Sequence, residues 1–251
     1  MAIVKWNLPP EPPPTWLDPT LEIKDDTEEI KVLKSLSSKE RSFEFVKICF
    51  YNCRSLGLTN WQALHVTANM VLETGWGQAF KAYNIGGVKI TRPQVEEALK
   101  KGKKLSWYRA PGNKSSGDPP WCYYRAYSSF AEFIAEWIEK FVPKNPGPNH
   151  RYKLTGPKFW KEDRNWFMEL IKAGYKGEVT KANPTPSFNN HLTLVTKCMT
   201  MMVQFHLGID TDGVDGPKTQ QFISRYQDEN GFARTGVITF TLFNYIFPMQ
   251  G

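Results

Sequence analysis

Seven residues organise the fold and the candidate site of this chain: Leu72-Glu73-Thr74-Gly75-Trp76-Gly77-Gln78. Upstream, apolar residues recur at helical spacing, at Trp61, Leu64, Ala68, Val71 and Leu72. This spacing predicts a helix that enters the core, with Thr59 or Asn60 as its N-cap. Gly75 can adopt the left-handed conformation that often ends a helix. We therefore expect Glu73 to lie at the end of a buried helix.

The expected surroundings of Glu73 suit a general acid. An apolar helix wall and Trp76 would remove water from its carboxyl group, and desolvation favours the protonated form of a carboxyl. A general acid has to hold its proton near neutral pH until the substrate takes it. A second interpretation stays open, in which Gly75 simply caps the helix and Glu73 is an ordinary solvated side chain.

The composition is that of a folded chain with real cores. Its 251 residues are 41% hydrophobic and 14% aromatic, which is enough for one full domain and a smaller second one. Cys49 and Cys53 have an i,i+4 spacing that is poorly suited to a disulfide, so we expect free thiols and a reducing compartment. The four histidines show no metal-ligand spacing, and we expect neither a metal nor a cofactor.

We predict a mainly α fold with two domains; the family resemblances given below imply an α+β domain with a small β-lobe, followed by a small three-helix domain. Residues 1–37 would form a proline-rich arm and a short helix, and residues 38–182 the larger domain. Residues 183–189 have the composition of a linker to residues 190–251. The patterns predict helices at 26–36, 38–55, 94–101, 129–141 and 161–173, and a strand at 122–127.

Positive charge is concentrated in the middle of the chain. Residues 45–182 hold 22 basic and 11 acidic side chains, which indicates an anionic partner. Nucleic acid is one candidate, but the basic run lies in a predicted loop without a recognition helix. Anionic wall polymers are another candidate, and a solvated loop with no ligand stays open. The run consists of Lys100, Lys101, Lys103 and Lys104.

Several separated stretches carry a resemblance to a known family. They are Glu73-Thr74-Gly75-Trp76-Gly77, Tyr83-Asn84-Ile85-Gly86-Gly87-Val88-Lys89, Tyr124-Arg125-Ala126-Tyr127-Ser128-Ser129, and the short matches Arg151-Tyr152 and Ala173-Gly174-Tyr175. In this order they resemble the Glu-Ser-Gly-Trp-Gly, Asn-Leu-Phe-Gly-Ile-Lys, Phe-Arg-x-Tyr-x-Ser, Arg-Tyr and Ala-Gly-Tyr segments of the glycoside hydrolase family 73 glucosaminidases. The resemblance implies a lysozyme-like domain that cleaves the glycan chain of peptidoglycan.

The resemblance also implies roles for individual residues. Glu73 would be the general acid, and Tyr175 would orient the substrate acetamido group or the attacking water. The family's acidic residue before the Phe-Arg-x-Tyr strand has no glutamate counterpart here; either Asp118 or the substrate's own N-acetyl group would take the second catalytic role. The residues expected to bind substrate are Trp76, Asn84, Tyr127 and Tyr152.

The last segment carries a second resemblance. The stretch is Asp212-Gly213-Val214-Asp215-Gly216-Pro217-Lys218-Thr219. It is similar to the Asp-Gly-x-x-Gly-Pro-x-Thr signature of a three-helix peptidoglycan-binding domain. Pro217 suits the first turn of a helix, where its missing N–H is no loss. Phe222, Tyr226 and Leu242 are expected to be core residues of this domain.

These resemblances together imply a phage-type endolysin, most simply an endo-β-N-acetylglucosaminidase. Muramidase and lytic transglycosylase activities on the same fold stay open, as does a non-catalytic wall-binding or phage structural protein. We expect bacterial peptidoglycan as the partner, a monomer, and neither nucleic-acid binding nor membrane insertion. Because no signal peptide is recognisable, we expect synthesis in the host cytoplasm and access to the wall after holin-type release.

Overall fold

The structure, a computed structural model, describes residues 11–112, 117–175 and 178–249. It is mainly helical with one small two-stranded sheet, and the predicted mainly α class is confirmed. After a 3₁₀ turn at Pro19–Leu21, the helices are α1 Glu28–Ser35, α2 Ser38–Ser55, α3 Asn60–Thr74, α4 Arg92–Lys100, α5 Phe130–Phe141, α6 Thr155–Trp160, α7 Trp166–Lys172, α8 Glu178–Ala182, α9 Thr185–His206, α10 Pro217–Glu229 and α11 Phe240–Ile246. The strands are β1 Trp107–Pro111 and β2 Trp121–Arg125.

Helices α2 and α3 form the centre of the fold. Each begins with a capping box, Ser37 with Glu40 and Thr59 with Gln62, which satisfies backbone N–H groups of the first turn. A short turn joins the two helices, so they pack against each other. Helix α3 is buried on nearly all sides, because α9 covers a second face of it. Of the two N-cap residues that the sequence leaves open, Thr59 is the one observed, and the expected end of the helix at Gly75 is confirmed.

The proline-rich arm lies along the sheet as a strap. The indole Nε1 of Trp107 donates to the carbonyl oxygen of Asp18 at 2.8 Å, and the backbone N–H of Ile23 donates to the carbonyl oxygen of Trp107 at 2.7 Å. An ion pair between Glu22 and Arg109, at 2.9 Å, adds a third contact. The strands pair antiparallel, with Trp107 opposite Arg125. Residues 1–10 of the predicted arm lie outside the described residues.

Two predicted boundaries differ from the structure. The helix predicted at 161–173 begins only at Trp166, as α7, because Glu162 adopts a positive φ of 57° that no helix interior accommodates. Helix α6, at Thr155–Trp160, was not predicted. The predicted linker 183–189 is also wrong in part, because α9 begins at Thr185. Pro186 belongs to the predicted linker but lies in the first turn of α9, where proline costs no hydrogen bond.

The C-terminal segment shares one hydrophobic core with the rest of the chain. Helix α9 packs on α2, α3 and α7, and a single cluster of buried side chains runs through both segments. Polar contacts add to it: Nδ2 of Asn60 donates to Oδ1 of Asn244 at 2.9 Å and to the carbonyl oxygen of Phe247 at 2.7 Å. The boundary predicted at 183–189 therefore does not separate two cores.

Helices α9, α10 and α11 contain an internal structural repeat that the sequence analysis missed. The buried amide of Gln204 donates to Asp212 Oδ1 and to the carbonyl oxygen of Val214, and accepts from the N–H of Gly213. Gln227 makes the same contacts 23 residues later, with Thr235 Oγ1, Val237 and Gly236. Gly213 and Gly236 share a positive φ of 71° and 70°. Each glutamine thus holds the loop after its own helix.

The chemistry of the remaining core is simple. All four cysteines are buried free thiols, and burial raises the pKa of Cys49, Cys53 and Cys198. Within residues 11–112, 117–175 and 178–249, no helix is long and apolar enough to cross a membrane. The same residues contain no group of three or more His, Cys, Asp or Glu side chains placed to hold a metal ion.

Candidate active site

Glu73 occupies the last turn of α3 and is half buried. The helix ends because Gly75 adopts the left-handed conformation (φ 57°, ψ 56°), and its N–H bonds to the carbonyl oxygen of Val71. Thr74 then holds the turn: its hydroxyl donates to the carbonyl oxygen of Met70 and accepts from the N–H of Gly77, both at 2.8 Å. These bonds fix the backbone turn that follows Glu73. The carboxyl group of Glu73 faces a pocket.

The Glu73 pocket has a volume of about 400 Å³. Three parts of the chain surround the carboxyl group: the loop before α4, the C-terminal half of α5, and the turns that precede α6 and follow α7. Its lining residues are Glu73, Gly86, Gly87, Val88, Lys89, Trp137, Lys140, Phe141, Arg151, Tyr152, Gly174 and Tyr175. Among the side chains that the structure describes, Glu73 is the only carboxylate in this lining.

Tyr175 is a hydrogen-bond partner of Glu73. Its hydroxyl oxygen accepts hydrogen bonds from Nδ2 of Asn69 at 2.9 Å and from Nε1 of Trp137 at 3.1 Å. An indole N–H and an amide NH₂ can only donate, so the single phenolic proton is left for the carboxyl group of Glu73, to which Tyr175 is also hydrogen-bonded. Burial and then the Glu73 charge raise the pKa of Tyr175 well above its usual range, and the phenol keeps that proton.

Arg151 joins two of the motif segments that the sequence analysis treated separately. Its Nε donates to the carbonyl oxygen of Ala173 at 2.6 Å and its Nη2 to that of Gly174 at 3.2 Å. Gly174 has a φ of 85°, and a Cβ there would lie 2.2 Å from Nη2 of Arg151. The arginine thereby fixes the turn that presents Tyr175. Tyr152 packs its ring edge-on against Phe141, 5.0 Å between centroids, and lines the pocket, and its binding of substrate stays a prediction.

Asn84 has a different role from the predicted one. Its Nδ2 donates to the carbonyl oxygens of Val88 and Arg125 at 2.9 and 2.8 Å, and its Oδ1 accepts from the N–H of Val88 at 2.8 Å. The side chain is buried and does not line the pocket. Because both of its donor hydrogens bind backbone, Asn84 shapes the loop at Gly86 and Gly87 and leaves substrate binding to other groups.

Trp76 and Tyr127 are likewise not part of the lining of the Glu73 pocket. Trp76 has a φ of 63°, and the ammonium group of Lys197 on α9 lies 4.6 Å from the centre of its ring. Tyr127 is buried against Phe133, and its hydroxyl donates to Oε1 of Glu136 at 2.9 Å. Both aromatic rings therefore make their contacts outside the Glu73 pocket.

Asp118 lies outside the lining but is coupled to it. Its Oδ1 accepts a 2.7 Å hydrogen bond from Nζ of Lys89, which is a lining residue. This bond raises the pKa of Lys89 and so favours its ammonium form. Asp118 therefore contacts a lining residue of the pocket, and its role as the second catalytic group stays a prediction.

Sequence reasoning missed Asn69, Trp137, Lys140 and the clasping role of Arg151. One signal was available: His65, Asn69 and Glu73 follow each other at intervals of four on a helix that is otherwise mostly apolar. Residues at this interval share one face of a helix. A polar line of this kind on a buried helix indicates a hydrogen-bond network. Its partners on α5, α7 and α9 could not be read from the pattern.

Comparison with known proteins adds no relative. The chain matches no family model, no curated protein and no solved structure. The resemblance noted for residues 45–182 and 190–251 rests on their motifs, and function is therefore argued from the Glu73 pocket.

Proposed function

We propose that this protein is a peptidoglycan hydrolase that cleaves the glycan strand, with Glu73 as the general acid in a lysozyme-like domain. The observation that carries the proposal is the pair of Glu73 and Tyr175 in an open pocket. One carboxylate is exposed to a ligand on one side and receives a phenolic hydrogen bond on the other. Such an arrangement holds a proton donor in one orientation, as glycosidic cleavage requires.

The chemistry assigns a distinct task to each group. Glu73 protonates the glycosidic oxygen as the bond to the anomeric carbon breaks, and becomes a carboxylate. The hydroxyl of Tyr175 donates to that carboxylate, and a hydrogen bond to an ionised acceptor is stronger than one to a neutral acceptor. The charges of Lys89, Lys140 and Arg151 line the same pocket and stabilise the new negative charge.

The first candidate reaction is that of an endo-β-N-acetylglucosaminidase. With Glu73 the only carboxylate among the described lining side chains, the acetamido oxygen of the substrate would attack the anomeric carbon, and water would open the resulting ring. The same single carboxylate supports a second candidate, a lytic transglycosylase, in which a substrate hydroxyl displaces the leaving sugar. For residues 190–249 we propose wall binding, in line with their Asp-Gly-x-x-Gly-Pro-x-Thr motif.

Product analysis tests the proposal. The protein is incubated with purified sacculi, turbidity is followed, and the released fragments are identified by mass spectrometry. A reducing N-acetylglucosamine end is expected. A reducing muramic end would point to a muramidase, and an anhydro-muramic end to the transglycosylase.

Glu73→Gln supplies the matched variant. Glutamine keeps the shape of a protonated glutamate but has no comparable proton to give, and general acid catalysis contributes roughly 10²–10⁴-fold. Glu96→Gln is the control, because Glu96 pairs with Arg92 at the exposed surface of α4. Full activity of a folded Glu73→Gln protein would exclude the assignment. Sedimentation of the parent with sacculi without any cleavage would favour a non-catalytic wall protein.

A further inference from the structure

A second pocket adjoins the Glu73 pocket and shares Lys140 with it. It has a volume of about 530 Å³ and lies between α4, the loop that follows α4, and α5. We call it the stem pocket and define it by Glu97, Lys101, Lys103, Arg125, Glu139 and Lys140. Apart from Lys140, none of these residues lines the Glu73 pocket, and Lys140 is the residue that the two pockets share.

The lining of the stem pocket is charged, and part of the charge is already paired. Arg125 forms an ion pair with Glu136 at 3.0 Å, and Lys101 forms one with Glu97 at 2.7 Å. Among the side chains that the structure describes, Lys103 and Lys140 form no ion pair. Their two ammonium groups are therefore the ones available to an incoming anion.

The basic run noted in the sequence divides at this pocket. Lys101 and Lys103 line it, whereas Lys100 and Lys104 do not. Lys104 instead lies 3.9 Å from the carboxylate of Asp18. Lys101 and Lys103 thus line the stem pocket, and Lys100 and Lys104 belong to the charged surface outside it.

We propose that the stem pocket binds the peptide stem of peptidoglycan through its carboxylates, with Lys103 and Lys140 as the anion-binding groups. The inference rests on the proposed function, because a glycan strand over Glu73 would bring an attached stem to the shared Lys140. The sugar rings themselves are uncharged once the lactyl group is joined to the peptide. The carboxylates of the substrate are carried by the stem.

The mixed lining selects this ligand over a polyanion. Lys101 donates a hydrogen bond to Oε1 of Glu97, and this bond, then the Glu97 charge and the Glu139 charge, raise the pKa of that lysine. These carboxylates would repel a phosphate-linked wall polymer or a nucleic acid. A stem peptide carries an amino group on its diamino acid as well as carboxylates, and it can satisfy both signs of charge.

The first test measures cleavage on two substrates. Peptidoglycan strands freed of anionic polymers are used with their stems intact or removed by an amidase, and kcat/KM is measured by reducing-end release. Lys103→Glu should lower kcat/KM about 10-fold on the stem-bearing strands, the factor that one charge-assisted hydrogen bond supplies. It should leave the stripped strands unaffected. Lys104→Glu makes the same charge change on the neighbouring residue and should affect neither substrate. Equal losses on both substrates, or equal effects of both variants, would overturn the proposal.

The second test does not depend on catalysis. Binding of the released stem peptide to the full chain is followed by NMR or calorimetry for the parent, Lys103→Glu and Lys103→Arg. The parent and the arginine variant should bind, and the glutamate variant should not. Absence of binding by the parent overturns the stem pocket whether or not the protein cleaves glycan. Tighter binding of a phosphate-linked wall polymer than of the peptide at equal ionic strength would also overturn it. Stem binding by a parent that cleaves neither substrate would refute only the proposed activity.

Discussion

Nδ1 of His65, on α3, lies 3.0 Å from Nε2 of His191, on α9. The indole Nε1 of Trp166 donates to the same His65 nitrogen at 3.1 Å. Because an indole N–H only donates, Nδ1 of His65 carries no proton, and His191 supplies the proton of the shared bond. Both rings are almost fully buried. The contact between the two segments of the chain therefore requires a neutral His65.

Stability should depend on pH through His65. Burial lowers the pKa of His65 to about 3 from an ordinary value of 6.5. Above pH 6.5 the His65 ring is neutral in both the folded and the unfolded state. Below pH 6.5 the unfolded chain binds a proton at this ring and the folded chain does not. The free energy of unfolding therefore decreases as the pH is lowered, down to about pH 3. Between pH 7.5 and 5 the loss should be about 2 kcal/mol. Urea unfolding measures it.

His65→Gln should flatten this part of the pH dependence, and His206→Gln, at an exposed ring, should not. Parallel pH profiles for the parent and His65→Gln would contradict the assignment.

Asn69 should matter for activity although it is fully buried behind Tyr175. Asn69→Leu removes one of the two donors that direct the phenolic proton to Glu73, and kcat should fall about 10-fold. Tyr175→Phe removes the donor to Glu73 itself and should cost more. Thr67→Val, which deletes another buried polar group of α3, is the control. An unchanged kcat in Asn69→Leu would show that Trp137 alone orients the phenol.

Asp118 and Lys89 should behave as one unit. Asp118→Asn and Lys89→Gln should each lower kcat/KM less than about 10-fold, and the double variant should lose no more than the larger single loss, because residues of one pair are not additive. A double-mutant cycle on wall fragments measures this. A loss in Asp118→Asn as large as that in Glu73→Gln, with Lys89→Gln active, would make Asp118 the second carboxylate.

The two repeat glutamines should contribute equally to stability. Gln204→Ala and Gln227→Ala each leave the equivalent groups of the following loop unbonded, part-buried at Gly213 and buried at Gly236, which costs roughly 1–3 kcal/mol. Gln221→Ala, at an exposed position of α10, should cost far less. Unfolding by urea with circular dichroism compares the three. If the two substitutions lower the free energy of unfolding by markedly different amounts, the two loops share a geometry but not an equal contribution to stability.

The two glycines beside Glu73 should respond differently to alanine. At Gly75 a Cβ meets no atom within 4 Å, so only the left-handed backbone opposes substitution, at about 1–2 kcal/mol. At Gly77, with φ 76°, a Cβ would lie 2.7 Å from a ring atom of Phe45, and both strain and overlap oppose it. The Tm of Gly77→Ala should therefore fall well below that of Gly75→Ala. Equal Tm values would show that the Phe45 ring gives way freely.

The sequence by itself determined the elements whose cause is local. The start of α3 follows from Thr59 and Gln62, and its end follows from Gly75, because capping and positive φ involve residues within a few positions of each other. The apolar spacing of α5 and its cap at Ser129 belong to the same class. Glu73 could be located at the end of a buried helix on these grounds alone.

Only the tertiary structure decided what surrounds Glu73. Asn69 and Tyr175 are 106 residues apart, and His65 and His191 are 126 apart, so no periodicity links them. The same is true of the assignments that changed: Asn84 binds backbone, Trp76 meets Lys197, and Asp118 pairs with Lys89. Each depends on which distant side chain fills the neighbouring space. The same packing determines the core that α3 and α9 share. Residues 185–187, which have the composition of a linker, form the first turn of α9 because the packing of its buried face stabilises the helix.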